Sequence, residues 1–230
     1  MAEKTKFWYL KNFNIFDGLN DEAMKKVDKM ASMSSAKTHE PIYFADEPSR
    51  SIFFLKYGHV KISRLTEEGK EIILDIVGPG EIFGELSIVA PEEPRSELAV
   101  ALDDVIVCAI NKNTFESLMK SHPSLNFEIT KRIGLRLRKF EERVTNLMFK
   151  DVRKRIAAFL VKYAEDFGKI KEGVITVKAH LSHQEIALLT GTGRQSVTTI
   201  LNELRSDGLI DFSRDAIIIK EMHALQTISK

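Results

Sequence analysis

Residues 182–209 read SHQEIALLTGTGRQSVTTILNELRSDGL, and their spacing decides the C-terminal architecture. Ser182 with Glu185 three positions later is a capping box: the hydroxyl takes an orphan amide of the first turn and the carboxylate reaches back. Ile186 and Leu189 give this helix one apolar face, and Gly191 stands where a left-handed residue ends it. Thr192 and Gly193 form the turn. Val197, Ile200, Leu201 and Leu204 then recur at helical spacing, which predicts a second helix. Ala187 is small where two such helices have to pack closely. Arg194, Gln195, Ser196, Thr198 and Thr199 crowd the first turn and a half of the second helix. A helix laid in the major groove carries its base-reading side chains there.

An ordinary helix pair shares part of this pattern. The residues C-terminal to it separate the two possibilities. Asp207-Gly208 signals a turn, and two apolar runs, 209–212 and 216–219, bracket Ser213, Arg214 and Asp215. A short β-hairpin directly after the second helix makes a winged helix-turn-helix. The expected DNA-contacting set is Ser182, Arg194, Gln195, Ser196, Thr198 and Thr199.

Composition bounds the rest. A chain of 230 residues with 43% hydrophobic residues suffices for one or two real cores. The single Cys108 excludes an internal disulfide and a four-cysteine zinc or iron–sulfur site within one chain. No apolar run approaches the ~20 residues that span a bilayer, and no signal-peptide core is visible, so a soluble cytoplasmic protein without membrane partners is expected. The net charge of +1 is unevenly placed. Residues 1–149 carry 21 Lys+Arg against 23 Asp+Glu, whereas residues 150–230 carry 13 against 10. The basic excess lies with the helix-turn-helix, as release of phosphate counterions favours.

Upstream the texture changes twice. Residues 7–33 read as helical, with Asn20 as a cap and Leu19, Ala23, Val27 and Met30 as a stripe. From 39 to 111, short β-branched and aromatic runs at 42–44, 51–55, 60–62, 72–77, 98–101 and 105–110 alternate with turns, which predicts a sandwich or jelly roll. Asn113 with Glu116 reads as the capping pair of a short helix that stops at His122-Pro123. A helix over 124–149 comes next, in which Leu125, Ile129, Ile133, Leu137, Phe140, Val144 and Leu147 step by three and four. So long a stripe exceeds what one small domain covers, and Ile129, Ile133, Leu137, Phe140, Val144 and Leu147 are expected to form a homodimer seam. The fold class is α+β, in three parts: an effector-sensing β jelly roll at 1–120, a dimerisation helix at 121–149, and a winged helix-turn-helix domain at 150–230.

This order of elements resembles the CRP/FNR (catabolite activator) superfamily of bacterial transcription factors from about residue 13 to 220. The most specific piece is Phe83-Gly84-Glu85-Leu86 followed ten residues after Glu85 by Arg95-Ser96, which is similar to the phosphate-binding cassette of a cyclic-nucleotide domain. A buried cyclic phosphate needs a guanidinium, and Arg95 can supply it, with Ser96 adding a hydroxyl. Gly84 lets the backbone approach, amides from Glu85 onward can face the phosphate, and Glu85 can accept from the ribose 2′-hydroxyl. The alternative is that Glu85 and Arg95 simply pair with each other in a cassette that binds no nucleotide.

The resemblance implies a homodimer on a pseudo-palindromic operator in double-stranded DNA, RNA polymerase as a partner, and cAMP or another cyclic nucleotide as a possible effector without any obligatory cofactor. In cAMP-responsive members the dimer helix offers Thr-Ser to the adenine amine, and Phe140-Glu141 occupy those positions here. Either Phe140 stacks on the base while Glu141 accepts from its amine, or Phe140 fills the pocket and holds the dimer active without ligand. Asp46 replaces a turn glycine and tolerates the left-handed conformation. A haem or metal sensor is disfavoured, because His39, His59, His122, His180, His183 and His223 are scattered. A cyclic-nucleotide regulatory module without DNA activity would carry no winged helix. No zinc motif, nucleophile elbow or Walker loop points to an enzyme.

Overall fold

The computed structural model describes residues 6–11, 13–89, 93–171, 173–178, 181–213 and 216–230. His180, Arg214 and Asp215 lie outside the described residues. The chain forms two compact units, one of residues 1–70 and 74–137, the other of 71–73 and 138–230.

The first unit opens with α1 (Lys6–Lys11), a 3-10 turn at Asn14–Phe16 and α2 (Asp21–Met30). The Asn20 side chain accepts from the Ala23 amide at 2.9 Å, a cap worth about 1 kcal/mol. Helix does not continue to residue 33 as its sequence suggested. Ala31–Ala36 is strand β1, antiparallel to the later strand 105–111, because ladder hydrogen bonds there serve a polar, serine-rich segment with little to bury as a helix.

The remaining strands of this unit are β2 (Pro41–Tyr43), β3 (Ser51–Tyr57), β4 (Val60–Leu65), β5 (Glu71–Val77, from residue 74 onward), β6 (Ile82–Phe83), β7 (Leu98–Ala101) and β8 (Val105–Asn111). They form two four-stranded sheets, in the orders β1-β8-β3-β6 and β2-β7-β4-β5. Between β6 and β7 lies a single helical turn, α3 (Leu86–Val89). Beyond β8 come α4 (Lys112–Ser121) and α5 (Pro123–Phe149), which starts on a proline whose missing amide costs nothing there. Helix α4 is capped by Asn111, whose side chain accepts from the Asn113 amide at 3.0 Å, and not by Asn113 itself. The cap falls two residues early because β8 runs directly into the helix.

Alternation along β3 explains how two cores coexist. Ile52 and Phe54 face helices α1, α2 and α4 in one cluster with Phe16, Val27, Phe115 and Leu125. Leu55 faces the opposite way, into a second cluster with Tyr43, Val60, Phe83, Ala99 and Val107. Ile129 belongs to the first cluster and is 3% exposed. It therefore leaves the expected dimer seam, because its side chain is already spent inside its own unit.

The second unit contains the end of α5, then α6 (Val152–Phe167), β9 (Lys169–Lys171), β10 (Val174–Lys178), α7 (His183–Thr190), α8 (Arg194–Ser206), β11 (Ile210–Phe212), β12 (Ala216–Ile219) and α9 (Met222–Ile228). Asp151 caps α6 through the Lys154 amide at 2.9 Å. Strands β11, β12, β10 and β9 form one antiparallel sheet in that order. The buried residues Val197, Leu201 and Leu204 of α8, spaced four and three apart, join Ile186 and Ala187 of α7 and Ile156 and Leu160 of α6 in the core. No helix among the described residues is long and apolar enough to cross a membrane.

Candidate functional site

Three charged residues are buried among the described residues, Glu85, Arg95 and Glu97, at 4%, 6% and 7% exposure, and all three lie in the first unit around the α3 segment. Gly84 has φ +74°, and a Cβ added there would stand 2.9 Å from Arg95 Nη1 and 3.3 Å from the Ser51 carbonyl oxygen. Only glycine combines that backbone with so close a side chain. Arg95 is fixed from both sides by backbone. Its amide donates to the Glu47 carbonyl at 2.9 Å, and its carbonyl accepts from the Asp46 amide at 2.8 Å. Asp46 takes φ +67°, so it does stand in the left-handed conformation.

The Arg95 guanidinium lies 4.0 Å from the centre of the Tyr43 ring, and its Nη2 donates to the Ser51 carbonyl at 2.6 Å. Among the described residues no carboxylate stands at ion-pair distance from it. Glu85 does not pair with Arg95. Its Oε1 accepts from Arg136 Nη1 on α5, while Oε2 is buried without a hydrogen-bond partner. The same Arg136 donates through Nη2 to the Ile82 carbonyl at 3.0 Å and meets Asp75 of β5 through Nε at 3.0 Å. Burial pushes the Glu85 carboxyl above the usual range against the pull of Arg136, and Glu97 and Asp75 push it further. Glu97 accepts from the Tyr43 hydroxyl at 2.7 Å. Burial and the Glu97 charge drive the Tyr43 phenol far above its ordinary value.

The other residues expected here are placed differently. Ser96 is exposed, and its hydroxyl accepts from Arg64 Nη2 at 2.6 Å. Leu86 is half exposed at the start of α3. Phe140 and Glu141 are both exposed and fall within the second unit. Sequence reasoning does not find Arg136, Tyr43 or Glu97. Arg136 was legible as a cation on the inner side of the long helix, together with Arg132, which donates to the Gly80 carbonyl at 3.1 Å. Nothing local marks Tyr43 and Glu97 as partners 54 residues apart.

In the second unit the capping box is complete: Ser182 Oγ accepts from the Glu185 amide, and Glu185 accepts from the Ser182 amide at 2.9 Å. Gly191 ends α7 at φ +62°. Arg155 donates to the Thr190 carbonyl at 2.8 Å and the Gly191 carbonyl at 3.1 Å, so a cation closes the negative end of α7. Arg194, Gln195 and Thr199 are exposed on the first turns of α8, and Ser196 is half-buried. The Thr198 hydroxyl is engaged locally, donating to the Arg194 carbonyl at 3.1 Å and lying 2.9 Å from His183 Nδ1. His183 also meets the edge of Phe212, which joins α7, α8 and the wing strand β11. At the other end of α8, Arg153 binds Glu203 at 2.6 Å and Asp207 at 2.7 Å.

Along α5 the exposed apolar side chains include Ile133, Leu137, Phe140, Val144 and Leu147. Their spacing of four, three, four and three residues keeps them on one face.

Comparison with known proteins separates along the same lines. Residues 34–122 match the cyclic nucleotide-binding domain family, and residues 154–228 match the Crp-like helix-turn-helix domain family. The chain is 30% identical to the global nitrogen regulator of Synechocystis over 92% of either chain. It is 28% identical to the CRP-like cAMP-activated global transcriptional regulator of Mycobacterium tuberculosis, covering 92% of this chain and 94% of the relative. Among solved structures, a CooA mutant from Carboxydothermus hydrogenoformans superposes with a TM-score of 0.76 at 26% identity, covering 95% of this chain and 97% of that one.

Proposed function

The chain belongs to the CRP/FNR superfamily of DNA-binding transcriptional regulators, and on that premise we propose that it works as a cytoplasmic homodimer whose operator affinity is set by a cyclic nucleotide, with cAMP favoured. The observation that carries this reading is the mismatch inside the cradle. Arg95 is a buried guanidinium without a carboxylate at ion-pair distance among the described residues, and Glu85 Oε2 is a buried acceptor without a donor. Isolated buried charges and unsatisfied acceptors are costly. A ligand that brings one anionic phosphate for Arg95 and one neighbouring hydroxyl for Glu85 removes both costs, and a ribose cyclic phosphate has both groups.

Gly84 gives such a ligand close backbone approach, and Ser96 reaches it by releasing Arg64. Phe140 and Glu141, on the face of α5 that carries the expected dimer seam, supply the adenine preference. The DNA half uses Arg194, Gln195 and Thr199, with Ser182, Ser196 and Thr198 in supporting positions, on a pseudo-palindromic operator and in company with RNA polymerase. Calorimetric titration of the full chain with cAMP and with cGMP, paired with operator binding with and without each, tests the reading. Binding of cAMP and a rise in operator affinity are expected. A second reading rests on Phe140, which is 57% exposed in a single chain and so free to be covered by another copy. Strong operator binding without additive, and no nucleotide binding at millimolar concentration, would select that one.

A further inference from the structure

The cradle holds an excess of negative charge before any ligand arrives. Its fully buried charges are Glu85, Glu97 and Arg95. Around them, half-buried Arg136 is shared between Glu85 and Asp75. Among the described residues, these two guanidinium groups thus face three carboxylates. Glu97 is the carboxylate with no guanidinium on it among the described residues; what holds it is the Tyr43 hydroxyl. The same ring links Glu97 to Arg95, whose guanidinium lies 4.0 Å from the centre of Tyr43, and Glu85 also acts on that phenol.

A cyclic phosphate adds a further unit of negative charge. Arg95 can neutralise the newcomer, but Glu97 keeps only the field of Arg136, a cation already shared with Glu85 and Asp75. In a water-poor cradle such an excess is relieved by taking up a proton rather than by tolerating the charge. Resting on the effector reading above, we infer that Glu97 is a specificity-determining residue that makes ligand entry depend on ligand charge: a monoanion enters together with one proton from solvent, and a dianion is rejected. The proton resides on Glu85, whose buried carboxyl is already raised, with Glu97 among the causes.

The charged and titratable groups around Glu85 and Glu97 among the described residues bear on this. Tyr43 on β2 donates to Glu97, and Asp75 on β5 and Arg136 on α5 form the ion-pair network with Glu85. Arg95 lies on the segment that carries Glu97, Arg64 of β4 binds the intervening Ser96, and Asp46 and Glu47 meet Arg95 through backbone hydrogen bonds. Glu81 and Glu97 both act on Arg136. Affinity for the monoanion falls as pH rises, because the unliganded site must collect a scarcer proton.

The test is calorimetry on the full chain with cAMP, a monoanion, and with 5′-AMP, whose phosphate carries a charge of about −1.5 to −2 near neutral pH. Titrations in two zwitterionic or amine buffers of different ionisation enthalpy, at pH 6 and pH 8, read the protons taken up. The wild type is expected to take up close to one proton with cAMP, to bind it more weakly at pH 8 than at pH 6, and to discriminate strongly against 5′-AMP. Glu97→Gln keeps an acceptor for Tyr43 and removes the charge. It is expected to abolish most of the uptake, to bind cAMP at least about tenfold tighter at pH 8, and to narrow the gap to 5′-AMP. Glu97→Ala gives the same three readings if the Gln protein fails to fold. Binding of cAMP by the Gln protein but not by the wild type also supports the inference. Equal affinity and equal proton uptake in the two proteins overturn this inference and leave the effector reading intact. Absence of cAMP binding in both overturns the effector reading, and this inference with it.

Discussion

Replacing Arg136 by Met separates the electrostatic part of the cradle from its packing. The substitution keeps an unbranched apolar stem on α5 and removes the guanidinium. Glu85, 4% exposed, then loses its ion-pair partner, and the Ile82 carbonyl loses a donor at 3.0 Å. The lost hydrogen bond is worth about 1 kcal/mol at any pH. Stranding the carboxylate is worth about 3 kcal/mol, the low end of the range for breaking a buried pair, because the Arg136 side chain is 36% exposed and partly screened by water. This second contribution depends on pH. Without Arg136, burial, Glu97 and Asp75 all hold the Glu85 carboxyl above its ordinary value of 4.5 in the folded protein. A carboxyl raised on folding destabilises nothing while it is protonated in both states. The penalty is absent below the unfolded value and grows as pH rises through the folded one. Urea unfolding of Arg136→Met against wild type is therefore expected to show a loss of about 1–2 kcal/mol at pH 5 and about 3–4 kcal/mol at pH 8. A loss that is equal at both pH values, or larger at pH 5, would refute the charge argument and leave Arg136 as a packing residue.

Three further outcomes are expected. Arg194→Ala should cost about 1–3 kcal/mol per half-site and relax preference at one base position, since bidentate Arg to guanine is the commonest specific contact; selection from randomised duplexes reads this, and an unaltered motif counts against the assignment. Ile133→Glu with Phe140→Glu should yield a monomer in light scattering with little operator affinity, because two half-sites ~34 Å apart need both DNA-binding units, and a retained dimer mass removes α5 as the seam. Gly191→Ala should destabilise the chain by about 1–2 kcal/mol in thermal unfolding, because the new Cβ takes a left-handed backbone and would clash with Leu147 Cδ2 unless that flexible side chain moves; no loss would mean the turn relaxes freely.

Local chemistry alone determined several elements of this protein. The capping box at Ser182 and Glu185, the left-handed Gly191, the Asn20 cap and the strands at 98–101 and 105–110 are all legible because each depends on residues within one turn or one strand. The cassette Gly84-Glu85 and Arg95 was legible as a motif for the same reason. Tertiary structure decided what those residues do to one another. Residues 31–33 became strand because a ladder with β8 was available, which no local propensity announces. Ile129 and Ile133 carry the same side chain on one stripe, yet the first is buried in its own unit and the second is exposed. Glu85 took Arg136 from 51 residues away instead of Arg95 from ten, and Glu97 took Tyr43 from 54. Buried charges choose partners by position in space, because burial makes an unmet charge costlier than any sequence preference can offset. That choice was open until the sheets and α5 had packed.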